Sequence, residues 1–255
     1  MPVPAPPRHG RHVEEDSWTW DSEAKSPAAV LSSSQKAVYF HVDPVLESQG
    51  TAGVRGTKGF SHGEHYWEIE FLEPPFGTSV MVGVGTKRAP LHAGDHQYID
   101  LLGKDGESWG LSYKGYIWHD GKSQKYTEPF YDRMTVIGVL LNLHTGTLQF
   151  YRDGLGLGVA FQGLHEAGVP LYPLASSTAA ETELLLGLRT FRFTSLQERC
   201  LWTLALSLGQ REPPDSLPPS LREQLRSYAA ETGHVAKKAR EKRRLISGSG
   251  SVVSL

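Results

Sequence analysis

Short apolar runs separated by glycine dominate the chain from Ser17 to about Thr194. The clearest runs are AVYFHV at 37–42, HYWEIEF at 65–71, SVMVGVG at 79–85 and TVIGVLLNL at 135–143. Each is too short for a stable helix, and a glycine recurs every eight to twelve residues between such runs. Runs of this spacing are typical of antiparallel sandwiches and barrels. We therefore predict an all-β antiparallel sandwich over 17–194.

The run at 65–71 indicates how such a strand covers a core. Its residues alternate between polar and apolar, so that Tyr66, Glu68 and Glu70 face solvent while Trp67, Ile69 and Phe71 face inward. Tight reversals follow later in the chain. Gly146, and then Asp153 with Gly154, supply the backbone freedom that hairpin turns need.

The two ends of the chain differ from this pattern. The first 16 residues hold four prolines, which favours a disordered leader over 1–16. The segment 231–255 carries six basic residues and then becomes rich in Gly and Ser, so we predict a basic, exposed tail. Whether this tail directs the protein to the nucleus or is merely solvated stays open.

Between the sandwich and the tail, the hydrophobic period changes to that of a helix. In SLQERCLWTLALSLG the apolar stripe is broadened by Leu201 and Trp202 and recurs every four residues, at Leu196, Cys200, Leu204 and Leu208. The proline-rich break EPPDSLPPS then leads to a second helix with Leu221, Leu225 and Tyr228 on one face. We predict a helical unit over 195–230 that needs a partner surface.

Composition limits where the protein is expected to be located and which classes of partner it is expected to bind. The net charge is −2, which gives no global field for nucleic acid or anionic lipid. The single cysteine, Cys200, cannot form an internal disulfide, and no apolar stretch is long enough to span a membrane. We expect an intracellular protein of the cytoplasm, with the nucleus as a second location.

Signals for an enzyme are weak. His62 and His65 occur in HGEH but offer no third metal ligand, which favours a role in a turn. The glycines form no phosphate-binding fingerprint, and Cys200 has no placed histidine. Trp67 and Trp109 fit core positions better than stacking platforms. We predict no catalytic residue, no metal and no cofactor.

Several segments carry a family resemblance. They are GVRGTKGFSHGEHYWEIEF, GTSVMVGVGTKRAPLH, LLGKDGESWGLSYKGYIWHDG, GTLQFYRDGLGLGVAF and LYPLASSTA, followed by SLQERCLWTL. The chain resembles the SPRY domain-containing SOCS box proteins, and SWTWD at 17–21 with STAA at 177–180 is most similar to their third member. The resemblance implies a SPRY domain over 17–194 and a SOCS box over 195–230.

That resemblance implies partners for the helical unit. Leu196, Cys200 and Leu204 would bind Elongin C, which acts with Elongin B. Leu217, Pro218 and Leu221 would bind Cullin-5, which brings a RING subunit. Asp215 and Ser216 replace the first Leu-Pro of the family pattern, which puts the choice of cullin in doubt. The helix packing on the sandwich is the alternative to Elongin binding.

The resemblance also implies a shallow pocket for a short asparagine-containing peptide of a substrate protein. Its lining would be Pro44, Leu46, Arg55, Gly77, Thr78, Tyr98 and Leu101. Structural roles for Arg55 and Thr78 stay open. Ala179-Ala180 stands at the pocket rim where most members carry Trp-Gly, so we expect an altered peptide preference.

Two functions follow from these features. The first is a substrate-recognition adaptor of an Elongin B/C–Cullin-5 ubiquitin ligase that promotes degradation of its targets by the proteasome. The second is a SPRY interaction scaffold whose degenerate cullin box no longer supports ubiquitination. The segment 217–221 is the feature that discriminates between them.

Overall fold

The computed structural model describes residues 14–42, 48–193, 196–208 and 211–227. The chain divides into two compact units, Met1–Phe193 and Thr194–Leu255. The described part of the first unit contains a 3₁₀ turn at Leu164–Ala167 and the strands β1 (Glu14–Glu15), β2 (Trp20–Lys25), β3 (Ala29–Leu31), β4 (Ala37–Phe40), β5 (Thr51–Gly56), β6 (Glu64–Phe71), β7 (Val80–Gly85), β8 (His92–Ala93), β9 (Ser108–Ser112), β10 (Tyr116–His119), β11 (Lys122–Lys125), β12 (Thr135–Asn142), β13 (Thr147–Arg152), β14 (Leu155–Gln162), β15 (Tyr172–Ser177) and β16 (Thr182–Arg192).

These strands form two antiparallel sheets. Within the described part of the first unit, each sheet has eight strands. The first sheet has the order β14-β13-β12-β6-β16-β4-β3, with β1 beside β16. The second has the order β11-β10-β9-β7-β15-β5-β2, with β8 beside β5. The predicted all-β antiparallel architecture is confirmed.

The inward side chains of both sheets share one core. Trp67 and Ile69 of the first sheet and Val82 and Val84 of the second are all fully buried in the same cluster. Burying such a side chain contributes about 1.5–3 kcal/mol, so the facing surfaces hold the sheets together. Trp109 is also buried in this cluster, which confirms the predicted core positions of the two tryptophans.

Local sequence patterns account for the strands and turns. The strand β6 alternates between half-buried and buried residues along its whole length, as its polar and apolar alternation predicts. The β12–β13 hairpin turns at Gly146, which has a φ of 67°. Asp153 and Gly154 link β13 to β14 with φ values of 51° and 79°, the positive pair that a tight two-residue hairpin requires.

The sheet begins earlier than the predicted leader allows. Glu14 and Glu15 form β1 and pair with Phe191 and Thr190 of β16. Asp16 then accepts a hydrogen bond from the Lys58 ammonium at 2.8 Å. The boundary placed after residue 16 is therefore corrected, because backbone pairing orders charged residues that carry no hydrophobic period.

A long connection packs on the outer face of the second sheet. Residues 86–107 link β7 to β9, and Ala89 and Leu102 of this connection are buried against Met81 and Leu174 of the sheet. Glycine in the sheet permits this approach, because a Cβ built on Gly110 would lie 2.6 Å from the Cβ of Leu102. The glycine on this face therefore determines how closely the connection can pack on the sheet.

The second unit contains two helices in its described part. The first, α1, covers Leu196–Leu208, and a second helical stretch, α2, covers residues 219–227. Leu201, Ala205 and Leu225 are buried together between them. Leu208 of the predicted apolar stripe packs on this cluster as well, so it lies on the inner face of α1.

We predict that Gly110→Ala destabilises the first unit, because the added methyl would push Leu102 and its connection off the sheet. The free energy of unfolding should fall by about 1–3 kcal/mol, which urea denaturation measures. Gly106→Ala is the matched control, since a Cβ there meets no atom within 4 Å and Gly106 lies in the same connection. Equal losses for the two variants would contradict close packing at Gly110.

Candidate protein-interaction sites

Several loops gather where three strands of the second sheet end. Ala52 of β5 and Val80 of β7 both pair with Ser177 of β15. Chain segments that leave these three strand ends therefore emerge at the same edge of the sheet. We call this edge the loop end, and it is defined by Ser48, Gly77, Thr78, Tyr98 and Thr178.

Gly77 and Thr78 present exposed backbone at the loop end. Both residues are exposed, and Gly77 has a φ of 81° that a residue with a Cβ adopts rarely. The Tyr113 hydroxyl donates to the Gly77 carbonyl at 2.6 Å, and the Lys114 ammonium donates to the Thr78 carbonyl at 2.5 Å. Burial raises the pKa of Tyr113, with a further contribution from Asp100, which keeps its hydroxyl a donor. The two carbonyls are fixed in place and retain free lone pairs.

Tyr98 is connected to the loop end through Ser48 and Thr178. Its side chain is 39% exposed, while its hydroxyl donates to the Ser48 carbonyl at 2.5 Å. The Ser48 hydroxyl donates in turn to the Thr178 carbonyl, also at 2.5 Å. The hydroxyl of Tyr98 thus anchors a loop, and its ring face is the part that can contact a ligand.

A buried polar network supports these positions. The Ser79 amide donates to the Thr178 hydroxyl at 2.9 Å, and that hydroxyl donates to the Ser79 carbonyl at 3.0 Å. The Ser79 hydroxyl donates to the Asp100 carboxylate at 2.6 Å. Satisfied buried networks of this kind fix a single geometry. These residues were not predicted from the sequence. The Ser and Thr side chains next to predicted site positions could have indicated that they support the site.

Arg55 does not lie with the other predicted pocket residues. It pairs with Leu174, three residues along β15 from Ser177, and its guanidinium donates to the Lys87 carbonyl at 2.8 Å. The guanidinium also lies 5.1 Å from the ring centre of Tyr172, at the far end of β15. The prediction that Arg55 lines the peptide pocket is corrected: it ties a loop to the sheet, which is the structural alternative.

Two further pocket predictions need correction, because the side chains are buried. Leu101 is only 1% exposed, so it supports the loop that carries Tyr98 and offers almost no surface to a ligand. Ala179 is 4% exposed, and a Cβ built on Gly77 would lie 2.9 Å from the Ala179 Cβ. Ala179 therefore lies beneath Gly77 and not on an open rim. Pro44 and Leu46 lie outside the described residues.

The helical unit leaves part of its predicted Elongin stripe exposed. Cys200 and Leu204 are both exposed, and their spacing of one turn places them on one face of α1. The buried residues Leu201 and Ala205 occupy a different face. The side chain of Leu196 is outside the described part of the helix. The exposed pair can thus contact a partner without disturbing the unit's own core.

The predicted cullin-binding residues divide between surface and interior. Leu217 and Leu221 are half-buried against the cluster between the helices, whereas Pro218 is exposed. The Arg222 guanidinium donates to the Asp215 carboxylate at 2.6 Å. Asp215 is therefore paired with a helix residue while its side chain stays 98% exposed. An ion pair this exposed contributes at most about 1 kcal/mol.

Metal-ligand clusters and membrane-spanning helices were sought among the described residues. No group of three or more His, Cys, Asp or Glu residues among them could hold a metal ion. His65 stacks on Phe60 at 3.9 Å and donates to the His62 carbonyl at 2.8 Å, which accounts for HGEH structurally. Burial lowers the pKa of His65, so the ring is neutral at pH 7. No described helix is long and apolar enough to cross a bilayer.

Comparisons with known structures agree with the sandwich. The chain matches the crystal structure of the TRIM65 PSpry domain with a TM-score of 0.52 and 24% identity, covering 68% of this chain and 90% of that one. It matches the SPRY domain of human HERC1 with a TM-score of 0.51 and 17% identity, covering 66% and 96%. At these identities the likeness shows the fold alone.

Comparisons with known sequences identify the family. Residues 64–189 match the SPRY domain model. SPRY domain-containing SOCS box protein 3 of Xenopus laevis is 39% identical over 83% of this chain, and the chain spans 59% of that protein's length. SPRY domain-containing SOCS box protein 1 of Mus musculus is 33% identical over 80% of this chain and 78% of its own length. The chain therefore belongs to the family of SPRY domain-containing SOCS box proteins.

Proposed function

We propose that this chain is a substrate-recognition adaptor of an Elongin B/C–Cullin-5 ubiquitin ligase. The observation that carries the proposal is the combination of two surfaces in one chain. The loop end presents the exposed residues Gly77, Thr78 and Tyr98 at one edge of the second sheet. The helical unit separately exposes Cys200 and Leu204 on a face that its own core does not use.

In this proposal the loop end binds a short peptide with asparagine side chains. A carboxamide both donates and accepts, so it can pair with the fixed carbonyls and with backbone amides at the exposed Gly77-Thr78 segment. The Tyr98 ring would cover the peptide from one side. Because the loops are held by hydrogen bonds before binding, little ordering entropy opposes association.

The helical unit would connect the bound substrate to the ligase. Cys200 is a compact apolar side chain that enters a pocket closed to larger residues, and Leu204 lies one turn away. The RING subunit recruited through Cullin-5 would supply the ubiquitin-transfer machinery. This chain would act by holding a substrate at high local concentration beside it, which requires no catalytic residue of its own.

A second candidate function is a SPRY scaffold that does not recruit a cullin. It is favoured by the departure at Asp215 and Ser216, and by the half-burial of Leu217 and Leu221 within the unit. Only Pro218 of the three predicted cullin contacts is fully on the surface. Cullin-5 binding in the presence of Elongin B/C decides between the two functions.

We expect Tyr98→Ala to weaken peptide binding at the loop end. Removing an aromatic anchor should cost about 2 kcal/mol or more, a drop in affinity of roughly thirtyfold. An array of asparagine-containing peptides measures the effect on each sequence. Phe193→Ala is the control, because Phe193 is 55% exposed and follows the far end of β16, whose first residue, Thr182, is the one that contacts Ser177 at the loop end. An unchanged profile for Tyr98→Ala would place the ligand elsewhere on the sandwich.

The Elongin surface is tested by replacing Cys200 and Leu204 together with alanine. Affinity for purified Elongin B/C, measured by calorimetry, should fall by about a hundredfold, because two buried contacts are lost. Glu223→Ala with Gln224→Ala is the control, since both residues are exposed on α2 and lie outside the Cys200 and Leu204 face of α1. Wild-type affinity in the Cys200 and Leu204 variant, with helicity retained, would refute this surface.

The cullin interaction is tested by restoring the Leu-Pro of the family pattern at Asp215 and Ser216. Asp215→Leu with Ser216→Pro should raise Cullin-5 affinity of the Elongin complex by about tenfold, because apolar contacts replace an exposed charge. Asp215→Asn removes the ion pair with Arg222 without adding those contacts. Calorimetry on the wild type and the two variants separates the effect of the added apolar contacts from the effect of losing the ion pair. Equal affinities would mean that the departure is neutral.

A further inference from the structure

Asp100 joins the segment that carries Tyr98 to the exposed backbone of the loop end. The Ser79 hydroxyl donates to the Oδ1 atom of its carboxylate at 2.6 Å. Ser79 directly follows the exposed residues Gly77 and Thr78, and Asp100 comes two residues after Tyr98 and is half-buried. The carboxylate of Asp100 is therefore linked by one hydrogen bond to the segment to which the proposed function assigns the peptide.

The backbone around Asp100 is held in place on both sides. The Ile99 amide donates to the Thr51 hydroxyl at 3.0 Å, and that hydroxyl donates to the Gln97 carbonyl at 2.8 Å. Leu101, the next residue, is only 1% exposed. The position of the carboxylate is therefore set before a ligand arrives, which lowers the ordering entropy that binding would cost.

The carboxylate of Asp100 has one oxygen that can still accept a hydrogen bond. Among the described residues, Oδ1 accepts from Ser79, and no hydrogen bond or ion pair reaches Oδ2. Burial raises the pKa of Tyr113, and the charge of Asp100 raises it further, so the carboxylate lies near Tyr113, whose hydroxyl donates to the Gly77 carbonyl at 2.6 Å. A charged acceptor at this place favours a ligand group that donates.

Lys114 adds a donor to the same part of the loop end. Its ammonium donates to the Thr78 carbonyl and lies 5.7 Å from the ring centre of Tyr113. An ammonium carries three donors, so two remain for a ligand. A carboxamide can donate to Asp100 and accept from Lys114. A carboxylate can only accept, and the charge of Asp100 repels it.

We propose that Asp100 is a specificity-determining residue through which the loop end selects asparagine over aspartate in the bound peptide. This inference rests on the proposed peptide-binding function and narrows its substrate class to peptides with intact asparagine side chains. Asparagine and aspartate have nearly the same shape, so steric fit does not separate them. The separation comes from the charge of Asp100, which also disfavours a substrate whose asparagine has been deamidated.

The test compares the best asparagine-containing peptide of the array with versions in which each asparagine is replaced in turn by aspartate. At one position or more, the wild type should bind the asparagine version about tenfold more tightly, measured by calorimetry at low ionic strength. Added salt should narrow this preference, because it screens the repulsion. In Asp100→Asn the preference should disappear or reverse, since Lys114 remains and attracts the aspartate. The new amide oxygen still accepts from Ser79, so the melting temperature should stay close to that of the wild type.

Asp105→Asn is the matched control, because Asp105 is half-buried in the same connection but lies toward the opposite end of β7. Ser108, three residues later, pairs with Gly85, whereas Val80 is the β7 residue at the loop end. This variant should keep the wild-type preference.

Two results would overturn the inference and leave the proposed function intact. One is equal wild-type affinity for asparagine and aspartate at every position, and the other is a preference that Asp100→Asn leaves unchanged. Wild-type protein that binds none of the peptides, or binding that Tyr98→Ala does not alter, would overturn both the inference and the proposed function.

Discussion

Close packing of the 86–107 connection on the outer face of the second sheet is the constraint on which the loop end depends. Leu102 fills the space that Gly110 leaves open, and its buried neighbour Leu101 fixes the next point of the connection. Tyr98 is thereby held three residues from a buried anchor, although its own ring is partly in solvent. The loop that carries Tyr98 is thus held in one position, because glycine in the sheet beneath it leaves room for close packing.

The two units expose chemically different surfaces. The sandwich offers polar backbone fixed by the Ser79–Thr178 pair, which suits short polar peptides. The helical unit has a very small core of its own around Leu201 and Leu225, and it leaves apolar residues exposed. Such a small unit gains stability from any partner that covers those residues. Under the proposed function, the sandwich would bind the substrate and the helical unit would bind the ligase component.

The sequence predicted those features that depend on local periodicity. The alternation in β6 and the turns at Gly146 and Asp153-Gly154 were correct because strand faces and hairpins are specified by adjacent residues. The position of Arg55 was wrong because it depends on the register between β5 and β15, which joins residues far apart in the chain. Leu101 was misplaced because a loop residue was expected to face solvent, whereas this loop is packed against a second apolar cluster.

Under the proposed function, peptide binds at the edge formed by Gly77, Thr78 and Tyr98 and not at the edge that holds Arg55 and Tyr172. The decisive measurement is amide chemical-shift mapping on the isotope-labelled chain, titrated with an asparagine-containing peptide. We expect shifts concentrated at Gly77, Thr78 and Tyr98, with the amides of Arg55 and Tyr172 unchanged. Shifts concentrated at Arg55 and Tyr172 would refute this placement of the peptide.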